Sequence, residues 1–311
     1  MTVGGVLQIR DDPVGFCRQV LAFDPWSKQR AVLEAVRDHP RVAVRSAHGV
    51  GKTAIAARVV LWWLTAFPHS IVVTTSATWG QVREQLWREI AFAYAAARAP
   101  GQARGSFFDG ALTDTRLELA PDWFALGLST NEPEKFAGYH SERLLVVLDE
   151  ASGVSEAVWE AAETLTTSPG SHLLAIGNPT RPAGAFYRAF TSERGLYRTV
   201  SISALESPLV TGEPVSPRAA KRLVGPDWIE GRQRAWGEGT PLYQVRVLGE
   251  FASTADDTVC SIAAVEAAQH RRLPAGEPTV VACDVARFGA TRSARCATVR
   301  RPSDDGARCL R

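Results

Sequence analysis

The chain has 311 residues, of which 45% are hydrophobic, and a formal net charge of +2. That length and apolar content suffice for a sizeable core and predict two domains, or one with an appendage. The near-neutral balance gives no overall electrostatic signature, so a nucleic-acid partner has to be argued from local patches.

Five cysteines, Cys17, Cys260, Cys283, Cys296 and Cys309, have no C-x-x-C spacing and no paired histidines. They read as reduced thiols of a cytosolic protein, not as zinc ligands or a disulfide framework. The N-terminus lacks a basic segment followed by an apolar one, so no signal peptide is expected. The most apolar run, residues 59–67, is far below the ~20 residues of a membrane span, and no membrane association is expected. Lysine occurs only at Lys28, Lys52, Lys135 and Lys221; the other basic residues are arginines. A lysine inside a glycine loop therefore stands out.

In chain order, Asp24-Pro25 leads into an amphipathic helix over 28–37, with Ser27 placed to cap it and His39-Pro40 ending it. A short β-branched strand over 41–45 precedes a glycine loop, and a helix follows from 52 to 67. A second strand covers 71–74. Residues 79–97 carry Val82, Leu86 and Ile90 at helical spacing and predict one long helix. Residues 116–119 and 123–128 read as an antiparallel pair of strands. The continuous apolar run 144–148 predicts a central strand buried on both faces. A helix over 155–165 and a strand over 173–176 follow. Alternating strands and helices imply an α/β fold with a mainly parallel sheet. Beyond Ser203, proline and glycine punctuate short helical pieces, which reads as a linker or small subdomain. A new strand begins near Pro278 and ends in Asp284.

The strongest local signal is Ser46-Ala47-His48-Gly49-Val50-Gly51-Lys52-Thr53, between the first strand and the helix after it. In a phosphate-binding loop the backbone N–H groups and the helix N-terminus face the phosphates, the lysine reaches the β- and γ-phosphates, and the hydroxyl ligates Mg²⁺. Glycine suits positions where φ is positive or where the backbone approaches an anion. The pattern departs from consensus at Ser46, where glycine is usual. Gly49-x-Gly51-x-x-Ala54 also fits a dinucleotide fingerprint, but that reading needs an acid at the end of the second strand. Thr74 and Thr75 stand there instead.

Asp149-Glu150 ends the central apolar strand. An aspartate there can hold Mg²⁺ through water, and its neighbour can take the proton of the water attacking the γ-phosphate. The bland alternative is a solvated strand end capping the next helix. Upstream, the Gln29 amide offers a donor and an acceptor that match adenine, while Trp26 reads as core. Gly177-Asn178-Pro179-Thr180 follows the next strand, where a polar residue beside the γ-phosphate can sense hydrolysis.

Taken in order, these pieces resemble the large terminase subunit of tailed bacteriophages, the motor that packages viral DNA. The resemblance rests on Pro25-Trp26-x-x-Gln29, the loop from His48 to Thr53, and Thr74-Thr75-Ser76 leading into the helix over 81–90. It continues through Phe136-Ala137-Gly138, the segment 144–152, Gly177-Asn178-Pro179-Thr180, Gly249-Glu250-Phe251 and Asp284-Val285-Ala286-Arg287-Phe288-Gly289. It implies a P-loop ATPase domain over 1–203, a linker subdomain over 204–277 and a fragment of a ribonuclease-H-like nuclease over 278–311.

Carried over residue by residue, the resemblance implies that His48, Gly49, Val50, Gly51, Lys52 and Thr53 bind ATP, with Thr53 and Asp149 on Mg²⁺. Glu150 and Lys52 are then catalytic, Gln29 reads adenine, and Asn178 couples hydrolysis to movement. Some family members carry an arginine where this chain has His48, so no arginine finger is assigned; Arg45 is near in sequence but lies on the predicted strand. The implied partners are double-stranded DNA, the portal protein, the small terminase subunit and further copies in a ring on the procapsid, in the cytoplasm of an infected or lysogenic bacterium. Asp284 matches the first acid of the nuclease, but Thr291 stands where a second is expected. Asp304 and Asp305 lie in a turn-like stretch. One carboxylate cannot build a two-metal site, so a truncated or frame-shifted nuclease without metal-dependent cleavage is expected. Two other readings share part of the evidence: a helicase-like, nucleic-acid-dependent P-loop ATPase, and an inactive prophage remnant.

Overall fold

In the computed structural model, residues 9–98, 109–129, 133–252, 282–283 and 296–297 are described. They fall into two units, Met1–Thr258 and Val259–Arg311.

Asp12 opens the first helix, α1 (Pro13–Gln19), by accepting the Gly15 N–H at 2.7 Å. Helix α2 (Ser27–Asp38) starts one residue earlier than the sequence predicts. Ser27 is its first helical residue and not its cap: the Ser27 N–H and hydroxyl both donate to Glu213, at 2.8 and 2.7 Å. Strand β1 (Arg41–Ser46) follows, then α3 (Lys52–Ala66), in which every residue from Ile55 to Ala66 is buried. A helix that is apolar all round belongs in the middle of a domain, and α3 lies against the centre of the sheet.

Strand β2 (Ile71–Thr75) comes next. The expected long helix over 79–97 is broken into a turn at Trp79–Gln81, a wide π-helical turn at Val82–Trp87 and α4 (Arg88–Ala97). At the π-helical turn the Trp87 indole is fastened to the sheet, donating to Thr74 Oγ1 at 2.9 Å. Strands β3 (Ala111–Leu112), β4 (Arg116–Ala120) and β5 (Trp123–Gly127) form an antiparallel run at one edge. Then come β6 (Leu144–Asp149), α5 (Glu156–Leu165), β7 (His172–Gly177), α6 (Gly184–Arg188) and β8 (Arg198–Ile202).

The eight strands make one sheet in the order β3-β4-β5-β2-β6-β7-β1-β8, parallel from β5 to β8. Alternate residues of the central strands face opposite layers. Val42, Val44, Leu145, Val147, Leu174 and Ile176 join the core with α2, α3 and α4. Ala43, Val146, Leu148, Leu173 and Ala175 join the core with α5 and α6. Burial on both faces is why β6 reads as an unbroken apolar run.

Because β7 lies between β6 and β1, the C-terminal ends of three parallel strands meet at one edge of the sheet. Asp149 ends β6, Gly177 ends β7 and Ser46 ends β1. In open α/β sheets, ligands bind at this edge. Residues 204–252, the described part of the expected linker subdomain, lie within the first unit as short helical pieces, the longest being α7 (Pro226–Trp236). The second unit contributes β9 (Ala282–Cys283) and β10 (Cys296–Ala297), paired antiparallel. The expected nuclease residues Asp284, Thr291, Asp304 and Asp305 lie outside the described residues. Among the described residues, no helix is long and apolar enough to cross a membrane.

Trp63 anchors the underside of the sheet: it is fully buried, with Phe67 at 4.5 Å and His172 at 4.8 Å between ring centroids. Trp63→Ala is expected to lower the unfolding free energy by about 3–5 kcal/mol in denaturant titration, the range for large aromatic truncations in a core.

Candidate nucleotide site

The loop between β1 and α3 has the backbone that anion binding demands. Gly49 and Gly51 have φ of +69° and +80°, which is strained for any residue with a side chain. At Gly51 an added Cβ would also lie 2.7 Å from the Gln29 amide nitrogen, so that side chain would have to move. Helix α3 starts directly at Lys52, so its free N–H groups and positive dipole end open on the loop. Ser46, at the usual glycine position, is fully buried. Its carbonyl accepts a 2.5 Å hydrogen bond from Asn178 Nδ2.

Lys52 and Glu150 form an ion pair, Nζ to Oε1 at 3.0 Å. Beside them Asp149 is completely buried, and neither carboxylate oxygen has a hydrogen-bond partner. Burial pushes its pKa up to about 6; Lys52 opposes this, the Glu150 carboxylate adds to it, and the nearby Glu150 N–H lowers it without reaching hydrogen-bond geometry. A buried carboxylate with both oxygens unmet suits a hydrated cation. Mg²⁺ therefore fits the residues present.

Glu150 is held in the left-handed region, φ 47° and ψ 44°. A non-glycine residue there stores on the order of 1–3 kcal/mol of strain and needs its surroundings to hold it. Gly177 permits that geometry: an added Cβ would lie 2.7 Å from Ala151 N and 3.1 Å from Glu150 C. The next turn is clamped as well, since Ser152 Oγ accepts from Thr180 Oγ1 at 3.1 Å and from Arg181 N at 3.0 Å. Asn178, on the same segment, thus links the Glu150 turn to the start of the loop.

The structure places Gln29, His48, Gly49, Val50, Gly51, Lys52, Thr53, Asp149, Glu150 and Asn178 around this one edge of the sheet. Gln29 already makes hydrogen bonds within the chain. Its Nε2 donates to Gly51 O at 3.2 Å and its Oε1 accepts the Trp26 N–H at 3.4 Å. Each end of the amide makes one hydrogen bond within the chain, which leaves one N–H and one lone pair for a base edge, and Gln29 also braces the loop from α2. Thr74 and Thr75, which the dinucleotide reading would need to be acidic, donate their hydroxyls to the Leu126 and Leu128 carbonyls. Arg45 donates to Ser201 Oγ at 2.8 Å and lies over the Phe190 and Phe251 rings.

The sequence reading missed the outer wall of the loop. Val224 N–H donates to Gly49 O at 2.8 Å, His48 N–H to Arg246 O at 3.0 Å, and Ala47 N–H to Ile202 O at 2.8 Å. Gly249, with φ +67°, packs so closely that an added Cβ would lie 2.7 Å from Ala47 N. Of these, only Gly249 carried a signal, as part of Gly249-Glu250-Phe251.

Comparison with known proteins finds phage terminases that are similar to this chain. The chain is 26% identical over 260 residues to a probable terminase large subunit of Enterobacteria phage P7, across 80% of this chain and 50% of that protein. Its fold matches the large terminase ATPase domain of Thermus phage P74-26, with TM-score 0.57 and 18% identity over 77% of this chain and 98% of that domain. The chain resembles phage large terminase subunits in sequence and in fold. A second structure, the large terminase of another thermophilic bacteriophage in complex with ADP, aligns with TM-score 0.50 and 14% identity, covering 90% of this chain and 61% of that one. No protein-family profile matches this chain. The chain spans about half the length of its terminase relative from phage P7.

His48 gives this terminase-like loop a defined pH response. Burial, then Arg246 and Lys52, push its pKa down to about 4, with Glu150 opposing. On acidification the unfolded chain, with an ordinary histidine near 6.5, takes the proton first. This group's contribution is therefore intact above about pH 6.5 and is lost as pH falls toward 4. His48→Gln removes the titration, so its stability relative to the parent chain is expected to rise between about pH 7 and about pH 5 in urea unfolding. An equal difference at both pH values would contradict the assignment.

Proposed function

We propose that this chain is the ATP-hydrolysing motor of a phage DNA-packaging terminase, working on double-stranded DNA. The observation that carries the reading is the arrangement of Asp149 and Glu150 at the end of β6 with Lys52 at the start of α3, beside a glycine loop with two left-handed glycines. The thermophilic-phage terminase in complex with ADP supports the choice of an adenine nucleotide.

In this reading the loop N–H groups and Lys52 hold the phosphates, as in other P-loop sites. Thr53 and Asp149 hold Mg²⁺, which supplies positive charge against the phosphate oxygens. Glu150, released from Lys52 when that lysine turns to the phosphates, accepts a proton from the attacking water. The water oxygen bonds to the γ-phosphorus as the bond to the ADP oxygen breaks, giving ADP and inorganic phosphate. Asn178 sits between the Glu150 turn and Ser46, where a change at either is passed to the other. Gln29 enters as a brace that sets the curvature of the loop at Gly51.

Translocation requires partners beyond this chain: the DNA, a portal at the procapsid, the small terminase subunit and further copies in a ring. The terminase relative from phage P7 and the P74-26 fold support that setting, in the cytoplasm of the bacterial host.

Two variants separate binding from turnover. Lys52→Ala is expected to abolish ATP binding by fluorescence titration, because the phosphates lose their direct counter-ion. Glu150→Gln is expected to bind ATP normally and to lose turnover by a factor of roughly 10²–10⁴, the usual worth of a general base. Unchanged phosphate release by Glu150→Gln would overturn the reading.

A further inference from the structure

Arg246 lies in a π-helical turn, Gln244–Leu248, nearly two hundred residues after the loop it touches. It meets His48 twice. The Arg246 carbonyl accepts the His48 N–H at 3.0 Å, and its Nη1 lies 2.8 Å from His48 Nε2. The backbone bond alone ties the turn to the loop, so the guanidinium is not needed for that docking.

The pairing is unusual for an arginine. A guanidinium has five donors in a fixed fork suited to carboxylate or phosphate oxygens. Among the described residues, the side-chain partner of Arg246 is a single imidazole nitrogen. That imidazole is neutral near pH 7, its pKa depressed to about 4, so it accepts a hydrogen bond without neutralising the charge. Arg246 is also half-buried, which limits screening by water. Lys52 and Glu150 both act on the same imidazole electrostatically, which sets Arg246 beside the phosphate-binding machinery.

We propose that Arg246 is a second cation of the nucleotide site, held by His48 to contact the terminal phosphate of ATP. The inference rests on the phosphate-loop reading of residues 46–53. It gives the segment over 204–252 a chemical connection to the nucleotide: a guanidinium carried by the outer wall senses whether the γ-phosphate is present. Bidentate contact to phosphate oxygens uses the donors that His48 leaves free. His48 is then a positioning residue, acting through Arg246.

The test compares ATPγS and ADP, each with Mg²⁺, by isothermal titration of the full chain. Arg246→Ala is expected to weaken ATPγS roughly ten- to hundredfold, the worth of a charged hydrogen bond, and ADP less than about threefold. Arg246→Lys is expected to recover part of the ATPγS loss, because it keeps the charge and loses the fork. Arg246→Gln keeps a donor for His48 without the charge, and serves if the alanine variant fails to fold; it is expected to behave as the alanine variant does. Equal weakening of both nucleotides would make Arg246 a structural brace, and no change in either would remove it from the site; both outcomes overturn the proposal. Lys52→Ala in the same titration separates the two claims. If it still binds both nucleotides, the phosphate-loop reading fails, independently of Arg246.

Discussion

Asp149 is a fully buried carboxylate with neither oxygen hydrogen-bonded. Such a group is costly to keep charged, and the cost falls only if positive charge stands close by. Lys52 supplies it from the first residue of α3, and that lysine is in turn balanced by Glu150 at 3.0 Å. The three groups form a small, partly dry charge cluster whose members cannot be removed singly without leaving another unpaired. The sheet order makes the cluster possible. With β7 between β6 and β1, the strand ends that carry the acids and the loop are two strands apart, and Asn178 follows the end of the strand between them.

The cluster is held by backbone that only a few residues allow. Glu150 sits in left-handed geometry because Gly177 has no side chain to push it away, and the turn beyond it is pinned through Ser152. Strain concentrated at this carboxylate would be expendable in a purely structural strand end, and it is consistent with a group held ready to move. Gly249 is constrained in the same way, because the Ile202 and Ala47 backbone leaves no space for a Cβ, and at Gly51 the left-handed φ favours glycine. Gly51 opens the loop inward, and Gly249 lets the outer wall close on it.

Much of this is legible in the sequence because the signals are local. The loop, the apolar run ending in Asp149-Glu150 and the segment after β7 each declare themselves within a short stretch of chain, and their order predicts their meeting. What is hidden depends on long-range packing. Strand β8 is an edge strand with mixed exposure and no clean alternation, so it leaves no pattern. The helix over 79–97 keeps its spacing through the π-helical turn, and periodicity does not report the wider hydrogen bonding. Gln29 suggests base recognition by its chemistry, but which groups take up its amide depends on how α2 packs against Gly51. Val224 and Arg246 look like ordinary residues of a proline-rich stretch until the fold sets them on the loop.

The most direct test of the account is a structure of this chain with Mg²⁺ and ATPγS. Lys52 Nζ is expected to leave Glu150 for the phosphate oxygens, Asp149 to face the cation, and Glu150 to turn toward the γ-phosphate. Nucleotide bound elsewhere with the Lys52–Glu150 pair still at 3.0 Å would contradict it.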